Sequence, residues 1–471
     1  MWSLFNSWSN LEVMRLLIEC TYVFEHPDLN SGIQRVVRNV IRELKHNDAN
    51  CECIPVVMQN GQLRRVLTLL PPQSVKISWQ RQWAQRLDYL RVRYWGMYSA
   101  LLKRMPVLGQ GFLRLPFFTL CKAFNLVITL PLRACLWLDR KNAAALQRSA
   151  PMDIVDGDIF LLLDSSWHLD FYDLADRLKA RGASIISVVY DLIPLTHPQF
   201  CDAGLTKVFE RWFDWIARTA DGFVCISRTV EQDVRQAVNM RQGAELADSR
   251  LYDHFYLGSE LDLATRDTEL DQSLQEVFSG SMPVYLMVST IEPRKNHAYL
   301  LDAFERLWAR GVEVRLCIIG KVGWKSEELI GRIQHHPELN RKLFIFNRLN
   351  DSGLEYAYAH ARALVFPSHA EGFGLPLVEA MQRGVPVMAS DIPVFREIGD
   401  DYVAYFDLAD PEALASLVEQ HQCSGQFPAS KALAEWQWIG WREASLQLFD
   451  KTLRIAGRAE QVHEHSANRR A

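Results

Sequence analysis

Paired cysteines are the first thing this sequence lacks. Its nine cysteines are odd in number and scattered over 471 residues. The one close pair, Cys51 and Cys53, has a spacing that suits neither zinc nor a redox Cys-x-x-Cys motif. A disulfide scaffold is excluded, and a reduced, cytoplasmic compartment is expected. The opening MWSLFNSWSN has neither the basic region nor the apolar core of a signal peptide. Internal repeats and low-complexity segments are lacking too. Charge of one sign is not in excess: the formal net charge is −4, so the chain as a whole is not a nucleic-acid binder. Long apolar runs are also missing. The longest uncharged apolar stretch of residues 73–150, Ala123 to Leu132, is far short of the roughly 20 residues a membrane-spanning helix needs. Arg114, Lys122 and Arg133 interrupt the wider run.

The composition that remains, 49% hydrophobic and 23% charged, is that of a globular protein, and the length calls for two or three domains. One stretch stands out, residues 363–399. Ala363 to Phe366 reads as a buried strand that Pro367 and Ser368 end. A loop with Glu371, Gly372, Phe373 and Gly374 follows, then a helix from about Leu375 that holds Glu379, then a second buried strand, Val385 to Ala389. This is a strand, glycine loop, helix and strand of a parallel α/β sheet. Unpaired N–H groups at the helix start favour an anion, and the glycines admit close approach. The two carboxylates repel phosphate and suit hydroxyl groups. A ligand with phosphate and polyol parts fits both.

E-G-F-G-L-P-L-V-E, with Pro367-Ser368 before it and Gly384-Val385-Pro386-Val387 after it, resembles the E-x7-E motif of retaining, nucleotide-sugar-dependent glycosyltransferases of family 4. That resemblance implies an α/β GT-B fold, two Rossmann-like domains facing across a cleft. The expected domains are 1–255, with an insertion at about 73–150, a linker at 256–282, the nucleotide-sugar-binding domain at 283–428, a terminal helix at 429–455 crossing back to the first domain, and a disordered tail at 456–471.

Taken in order, Val13 to Cys20 reads as a strand, and Ser31-Gly32 opens an apolar-striped helix, Ile33 to Leu44. The resemblance puts Gly32 near the cleft, where it admits donor or acceptor. Arg35 meets an anionic group there or lies on a solvated helix face. From Pro71 to Ala150 the α/β rhythm is lost. Residues 73–150 carry 13 Lys/Arg and 2 Asp/Glu, a net of +11, which leaves −15 on the rest of the chain. Mixed with Trp79, Trp83, Trp95 and Trp137, this block suits an anionic membrane surface. The alternative is a helical insertion packed on the protein or on a partner.

Strands Ile159–Leu163 and Ile185–Tyr190 end in Asp164-Ser165-Ser166-Trp167-His168 and Asp191-Leu192-Ile193-Pro194. Ligands bind outside the carboxyl ends of such strands, so both clusters are expected at the cleft, with His168 and His197 as polar candidates. The second cluster resembles the H-D-L-I-P segment of bacterial mannosyl- and rhamnosyltransferases, with Tyr190 where the histidine usually stands. Asp191 matches; a turn or cap role is its alternative. Thr229 to Gln232 has capping-box spacing, and Ser227 is read as structural or acceptor-side. In the second domain, strand Val284–Val288 leads to Arg294-Lys295, suited to a diphosphate as fork and point charge. The final helix is expected over Lys431 to Ile455, its Trp436, Trp438 and Trp441 acting as packing anchors.

The resemblance implies transfer of a sugar from a nucleotide diphosphate to a glycan or lipid-linked acceptor, with retention and front-face attack. Arg294, Lys295 and the helix start at Gly372–Leu375 would stabilise the leaving group, so neither an Asp-x-Asp metal site nor any cofactor is needed. Glu371 would hold donor-sugar hydroxyls, Glu379 the ribose, and the loop at Arg348 and Leu349 the base. A GDP-sugar, mannose or a deoxyhexose such as rhamnose, is favoured, with UDP or dTDP as alternatives. The setting would be O-antigen, capsule or exopolysaccharide synthesis, peripheral on the inner face of the cytoplasmic membrane. A UDP-hexose transferase, a nucleotide-sugar 2-epimerase and a non-catalytic membrane-associated assembly protein remain open.

Overall fold

The computed structural model describes residues 14–27, 32–45, 51–69, 79–105, 114–140, 148–259, 270–347 and 349–457. The expectations for Arg348, for the tail beyond 457 and for residues 260–269 of the linker lie outside the described residues. The strands in chain order are β1 (Met14–Glu19), β2 (Cys51–Gln59), β3 (Gln62–Val66), β4 (Ser149–Pro151), β5 (Ile159–Leu162), β6 (Ser184–Val189) and β7 (Gly222–Cys225). They continue as β8 (Leu251–His254), β9 (Val284–Val288), β10 (Arg315–Ile319), β11 (Leu343–Phe346), β12 (Ala363–Phe366), β13 (Val387–Ser390) and β14 (Ala404–Phe406).

The chain divides into two compact units, one of residues 1–23, 31–55 and 154–471, the other of 24–30 and 56–153. Both Rossmann-like domains belong to the first unit. In the earlier domain β1, β5, β6, β7 and β8 run parallel in that order, with Leu16 opposite Ile159 and Val189 opposite Cys225. In the later domain the order is β11-β10-β9-β12-β13-β14, again all parallel. The inner strands read as unbroken apolar runs, such as IFLL and ALVF, because helices cover both faces, whereas the edge strand β8, LYDH, is partly exposed. Tyr285, Leu301, Phe304, Leu316 and Val365 anchor the second core.

The terminal helix differs from expectation at its start. It begins at Trp441, not Lys431, with Gly440 as N-cap and only a 3-10 turn at Leu433–Glu435 before it. Trp436 and Trp438 therefore lie on an extended lead-in, stacked at 5.4 Å. The helix packs on the Gly32–Leu44 helix and on β7 and β8 of the earlier domain. Trp441 is 1% exposed, and Asp253 of β8 meets Lys451 at 2.6 Å and also Arg454. A second correction concerns the cap at 227–232. Ser227, not Thr229, caps the Arg228–Gln242 helix by accepting from Val230 N.

The second unit holds the antiparallel pairs β2–β3 and β3–β4 and two long helices, Trp79–Arg104 and Arg114–Arg140. The short uncharged run seen in the sequence lies inside the second helix. Among the described residues, that helix alone is long and apolar enough to cross a membrane, over Leu115–Leu138. Counting uncharged residues missed this because Lys122 and Arg133 interrupt an otherwise apolar helix.

Because Trp441 fills a closed site between terminal helix and first domain, Trp441→Ala is expected to destabilise the chain by about 3–5 kcal/mol. Denaturant unfolding of the two proteins measures it, and a loss under about 1 kcal/mol would contradict this packing role.

Candidate functional site

The carboxyl ends of β9 and β12 bring a carboxylate and two cations together. Glu371 is buried after Ser368, which donates a hydrogen bond to its Oε1 at 2.7 Å. Arg294 reaches Glu371 Oε2 at 2.7 Å, and Lys295 Nζ donates to Oε1. Arg294 also donates to Ala370 O at 2.6 Å and to Glu292 Oε1 at 2.9 Å. Lys295 lies 5.2 Å from the Phe366 ring centre. Burial alone would raise the Glu371 pKa, but Arg294 and Lys295 outweigh it and hold the carboxyl down at about 2. Burial, followed by repulsion from Arg294, lowers Lys295, and burial raises Glu292. From the earlier domain comes Asp191, its Oδ1 accepting from Ile193 N at 3.0 Å. Its pKa is raised by burial, which the nearby Arg294 only partly offsets. Sequence reasoning assembled Glu371, Arg294, Lys295 and Asp191. It missed Glu292 and Ser368, whose only signal was their place beside these residues.

Gly374, in the left-handed region at φ 106°, starts the Leu375–Gln382 helix. A Cβ there would sit 2.8 Å from the Phe395 ring. One turn on, Glu379 is 2% exposed and accepts from Tyr358 OH at 2.9 Å. Arg35 Nη1 approaches Glu379 Oε1 at 2.7 Å across the two domains. The alignment is poor for hydrogen bonding, so Glu379 Oε1 and Arg35 Nη2 have no hydrogen-bond partner among the described residues. Arg35 thus has a buried acidic partner rather than a solvated face. Gly32 lies beside the same helix, where a Cβ would make an ordinary 3.5 Å contact with Leu375. Nothing in the protein itself requires glycine at 32. Tyr358, which orients Glu379, was visible in the sequence only as one aromatic residue on a helix. No described contact ties Leu349 to these groups; it lies next to Asn350, the cap of the Asp351–His360 helix.

At Gly372 the backbones of the two domains come close together. A Cβ on it would lie 1.9 Å from the Tyr190 carbonyl oxygen, and Ser227 Oγ donates to Gly372 O at 2.9 Å. Glu397 adds a third link, accepting from Arg228 N, Thr229 N and Thr229 Oγ1 at 2.7, 2.8 and 2.6 Å. A carboxylate on a helix start is favourable. Phe373 is 3% exposed and packs on Tyr256 and Trp438, so at this site only its main chain is presented.

Two residues of the earlier domain sit otherwise than expected. Tyr190 reaches the cleft with its main chain. Its ring is buried and its hydroxyl donates inward to Leu163 O at 2.7 Å. It does not present a side chain where a histidine would. His168 stacks on Tyr22 at 5.4 Å and accepts from Trp167 Nε1 at 2.9 Å; its described contacts all lie within the earlier domain. His197 instead stacks on Phe200, which stacks on His369 of the later domain. Beneath Tyr190 lies an acid pair, Glu19 and Asp164. Glu19 accepts from Thr21 N and Asp164 N, and Asp164 from Val23 N and Ser165 N. Burial, then Asp164, raises the Glu19 pKa to about 8; burial raises Asp164 to about 6. Glu19 went unnoticed in the sequence because it closes an apolar strand. Among the described residues, no three His, Cys, Asp or Glu side chains are grouped to hold a metal ion.

Two outcomes are expected. Gly372→Ala should keep each domain folded but hold them apart, with a larger radius of gyration by small-angle scattering and at least tenfold lower turnover. A raised folded-state pKa means that the stabilisation is complete below the ordinary carboxylate value and is lost as pH rises through the folded value. Glu19 should thus make unfolding free energy fall from about pH 4.5 to 8, by no more than about 1.4 kcal/mol per pH unit. Glu19→Gln should flatten that fall in denaturation curves taken across the range.

Residues 271–422 match the family model described as Glycosyl transferases group 1. The chain is 35% identical over 309 residues to the serotype-specific mannosyltransferase WbdA of Escherichia coli, covering 64% of this chain and 38% of that protein. It is 29% identical over 268 residues to the O-antigen chain mannosyltransferase RfbU of Salmonella typhimurium, covering 54% and 69%. The chain thus spans well under half the length of WbdA. Among solved structures it is similar to Anabaena HepE with UDP and glucose, at TM-score 0.51 and 13% identity over 97% of this chain and 100% of that one. Sucrose-phosphate synthase from Thermosynechococcus elongatus gives a TM-score of 0.50 at 15% identity, over 97% and 99%. The chain has the GT-B fold, and Glu371, Arg294, Lys295 and Glu379 all lie inside the segment that matches glycosyl transferases group 1.

Proposed function

We propose that this chain is a retaining glycosyltransferase of family 4. It moves a hexose, mannose or a deoxyhexose such as rhamnose, from a nucleotide diphosphate to a glycan or lipid-linked acceptor in bacterial surface polysaccharide synthesis. The observation that carries this reading is Glu371 ion-paired to both Arg294 and Lys295, followed on the next helix by a second buried acid, Glu379, whose Oε1 is held only by an ion pair to Arg35. Arg294 and Lys295 turn from Glu371 to the diphosphate and stabilise charge on it as the glycosidic bond breaks. Glu371, so freed, takes sugar hydroxyls; Glu379 Oε1 takes a ribose hydroxyl. The acceptor attacks from the same face, its proton passing to the leaving phosphate, while Asp191 lines the acceptor side. These cations make a metal unnecessary. The mannosyltransferases WbdA and RfbU support mannose and hence GDP, with UDP and dTDP as the alternatives. We place the enzyme on the cytoplasmic face of the membrane, with residues 73–150 against its anionic surface.

Thermal unfolding with GDP, UDP, dTDP and ADP tests the donor site. A nucleotide at about 100 times its dissociation constant should stabilise by roughly 2.7 kcal/mol. GDP should do so for the wild type and not for Glu379→Ala. A shift with UDP alone would move the donor to a UDP-hexose, and no shift with any of the four would contradict the site. In transfer assays Glu371→Ala, Glu379→Ala and Lys295→Ala should each lower turnover at least tenfold, about 1.4 kcal/mol of barrier. Near-normal transfer by all three would sink the assignment.

A further inference from the structure

The second unit carries a surface that the transfer chemistry does not use. In the Arg114–Arg140 helix, Leu115–Leu138 has a mean hydropathy of 1.6, yet only 6% of its most apolar window is buried. Leu120, Phe124 and Val127 are 67%, 65% and 68% exposed. Scattered exposed apolar residues are ordinary, but a continuous face of them marks a binding surface. An adjacent side of this helix, bordered by Phe124, is taken. The Trp79–Arg104 helix packs along it, with Tyr94 stacked on Phe124 at 6.3 Å, Tyr98 on Phe117 at 5.8 Å, and Tyr94 OH donating to Cys121 O at 2.8 Å.

That pairing decides between two ways of meeting lipid. Twenty-four helical residues would reach about 36 Å, enough to cross a hydrocarbon core of about 30 Å. Crossing would drag the partner helix along, with Arg86, Asp88, Arg91 and Arg93, and charges in the hydrocarbon are costly. The helix itself is apolar around most of its exposed surface: Leu115, Leu126 and Trp137 are 74%, 50% and 55% exposed on the same side as Lys122 and Arg133. The charged partner helix is therefore what places it along an interface rather than across one. The +11 net charge of residues 73–150 attracts anionic headgroups and repels a second copy of the same surface.

We infer that the Arg114–Arg140 helix lies in the plane of an anionic bilayer surface. Leu120, Phe124 and Val127 sit among the acyl chains, Lys122 and Arg133 at the phosphates, and the Trp79–Arg104 helix alongside. This rests on the membrane placement proposed above and adds its geometry; it does not depend on the donor.

The full chain is sedimented with phosphatidylcholine vesicles containing about 30 mol% phosphatidylglycerol, and with phosphatidylcholine alone, at 0.1 and 0.5 M NaCl. Anionic vesicles should bind it at least tenfold better, and part of the binding should survive 0.5 M salt. The variant Leu120→Glu/Phe124→Glu/Val127→Glu should lose at least tenfold of the binding while keeping its nucleotide-induced thermal shift. On bound wild type, a membrane-impermeant amine reagent added outside should label both Lys103 and Lys141, which flank the helix. Protection of one flank means that the helix spans, which overturns the inference and leaves membrane association standing. Binding wholly released by 0.5 M salt and unchanged in the variant overturns the inference in favour of electrostatic docking. No binding to any vesicle, or a lipid-free dimer that the variant abolishes, overturns the inference and the membrane placement together. The labelling result stands by itself should the variant fail to fold.

Discussion

Mutual neutralisation of three buried ions is what the cleft depends on. Burial works against each: it pushes Glu371 up and Lys295 down, and it raises Asp191 and Glu292 beside them. Only the pairing of Glu371 with Arg294 and Lys295 keeps its charge in place. Such an arrangement is stable but exchangeable. An arriving anion competes for the two cations, and the carboxylate that it displaces then needs hydrogen-bond donors of its own. A ligand that supplies negative charge and hydroxyl groups a few ångströms apart answers both needs. A simple anion answers one and leaves Glu371 with the Ser368 hydroxyl in place of its two cations, which is costly for a buried charge. For the donor proposed above, charge and hydroxyl groups would thus be matched before any shape is considered.

This exchange needs the two domains close together, and the contact is made of main chain. Gly372 lies against the Tyr190 carbonyl, so the turn after β6 and the loop after β12 touch with no side chain between them. Around that point the links are polar and reversible: Ser227 to Gly372, Glu397 to the start of the Arg228–Gln242 helix, Arg35 to Glu379. None is an extended apolar surface, as expected of domains that must part to admit a ligand. Arg35 is the telling case, since its partner is the carboxylate proposed for the ribose.

The parallel strands were legible because a strand buried on both faces must be apolar, so ALVF and VYLMV announce themselves. The loop was legible for the opposite reason: Gly372 and Gly374 mark a tight turn, and Glu371 and Glu379 are carboxylates that buried positions otherwise avoid. Side-chain direction was not legible. Tyr190 occupies the right place in the chain, yet its ring turns inward to Leu163, and Phe373 turns to Tyr256 and Trp438. Both rings are drawn by burial that depends on residues far away in sequence. Glu19 was hidden among its apolar neighbours, and Tyr358 becomes meaningful only once folding sets it against Glu379. The lead-in to the terminal helix misled although Trp436 and Trp438, two residues apart, do not share a helix face; a hydrogen bond to Leu257 O and packing on Phe373 hold Trp438 in an extended path.

The terminal helix also bears on how the chain is made. The edge strand β8 is completed by residues 441–455, where Gly258 lies against Trp441, Gly222 against Ile455, and Asp253 meets Lys451. During synthesis the earlier domain emerges first, but its edge stays uncovered, and Asp253 unpaired, until almost two hundred further residues have been added. The nascent first half must therefore wait, partly open, for a helix that the ribosome delivers only after the second domain. Folding of this protein cannot proceed as two independent halves in order of translation.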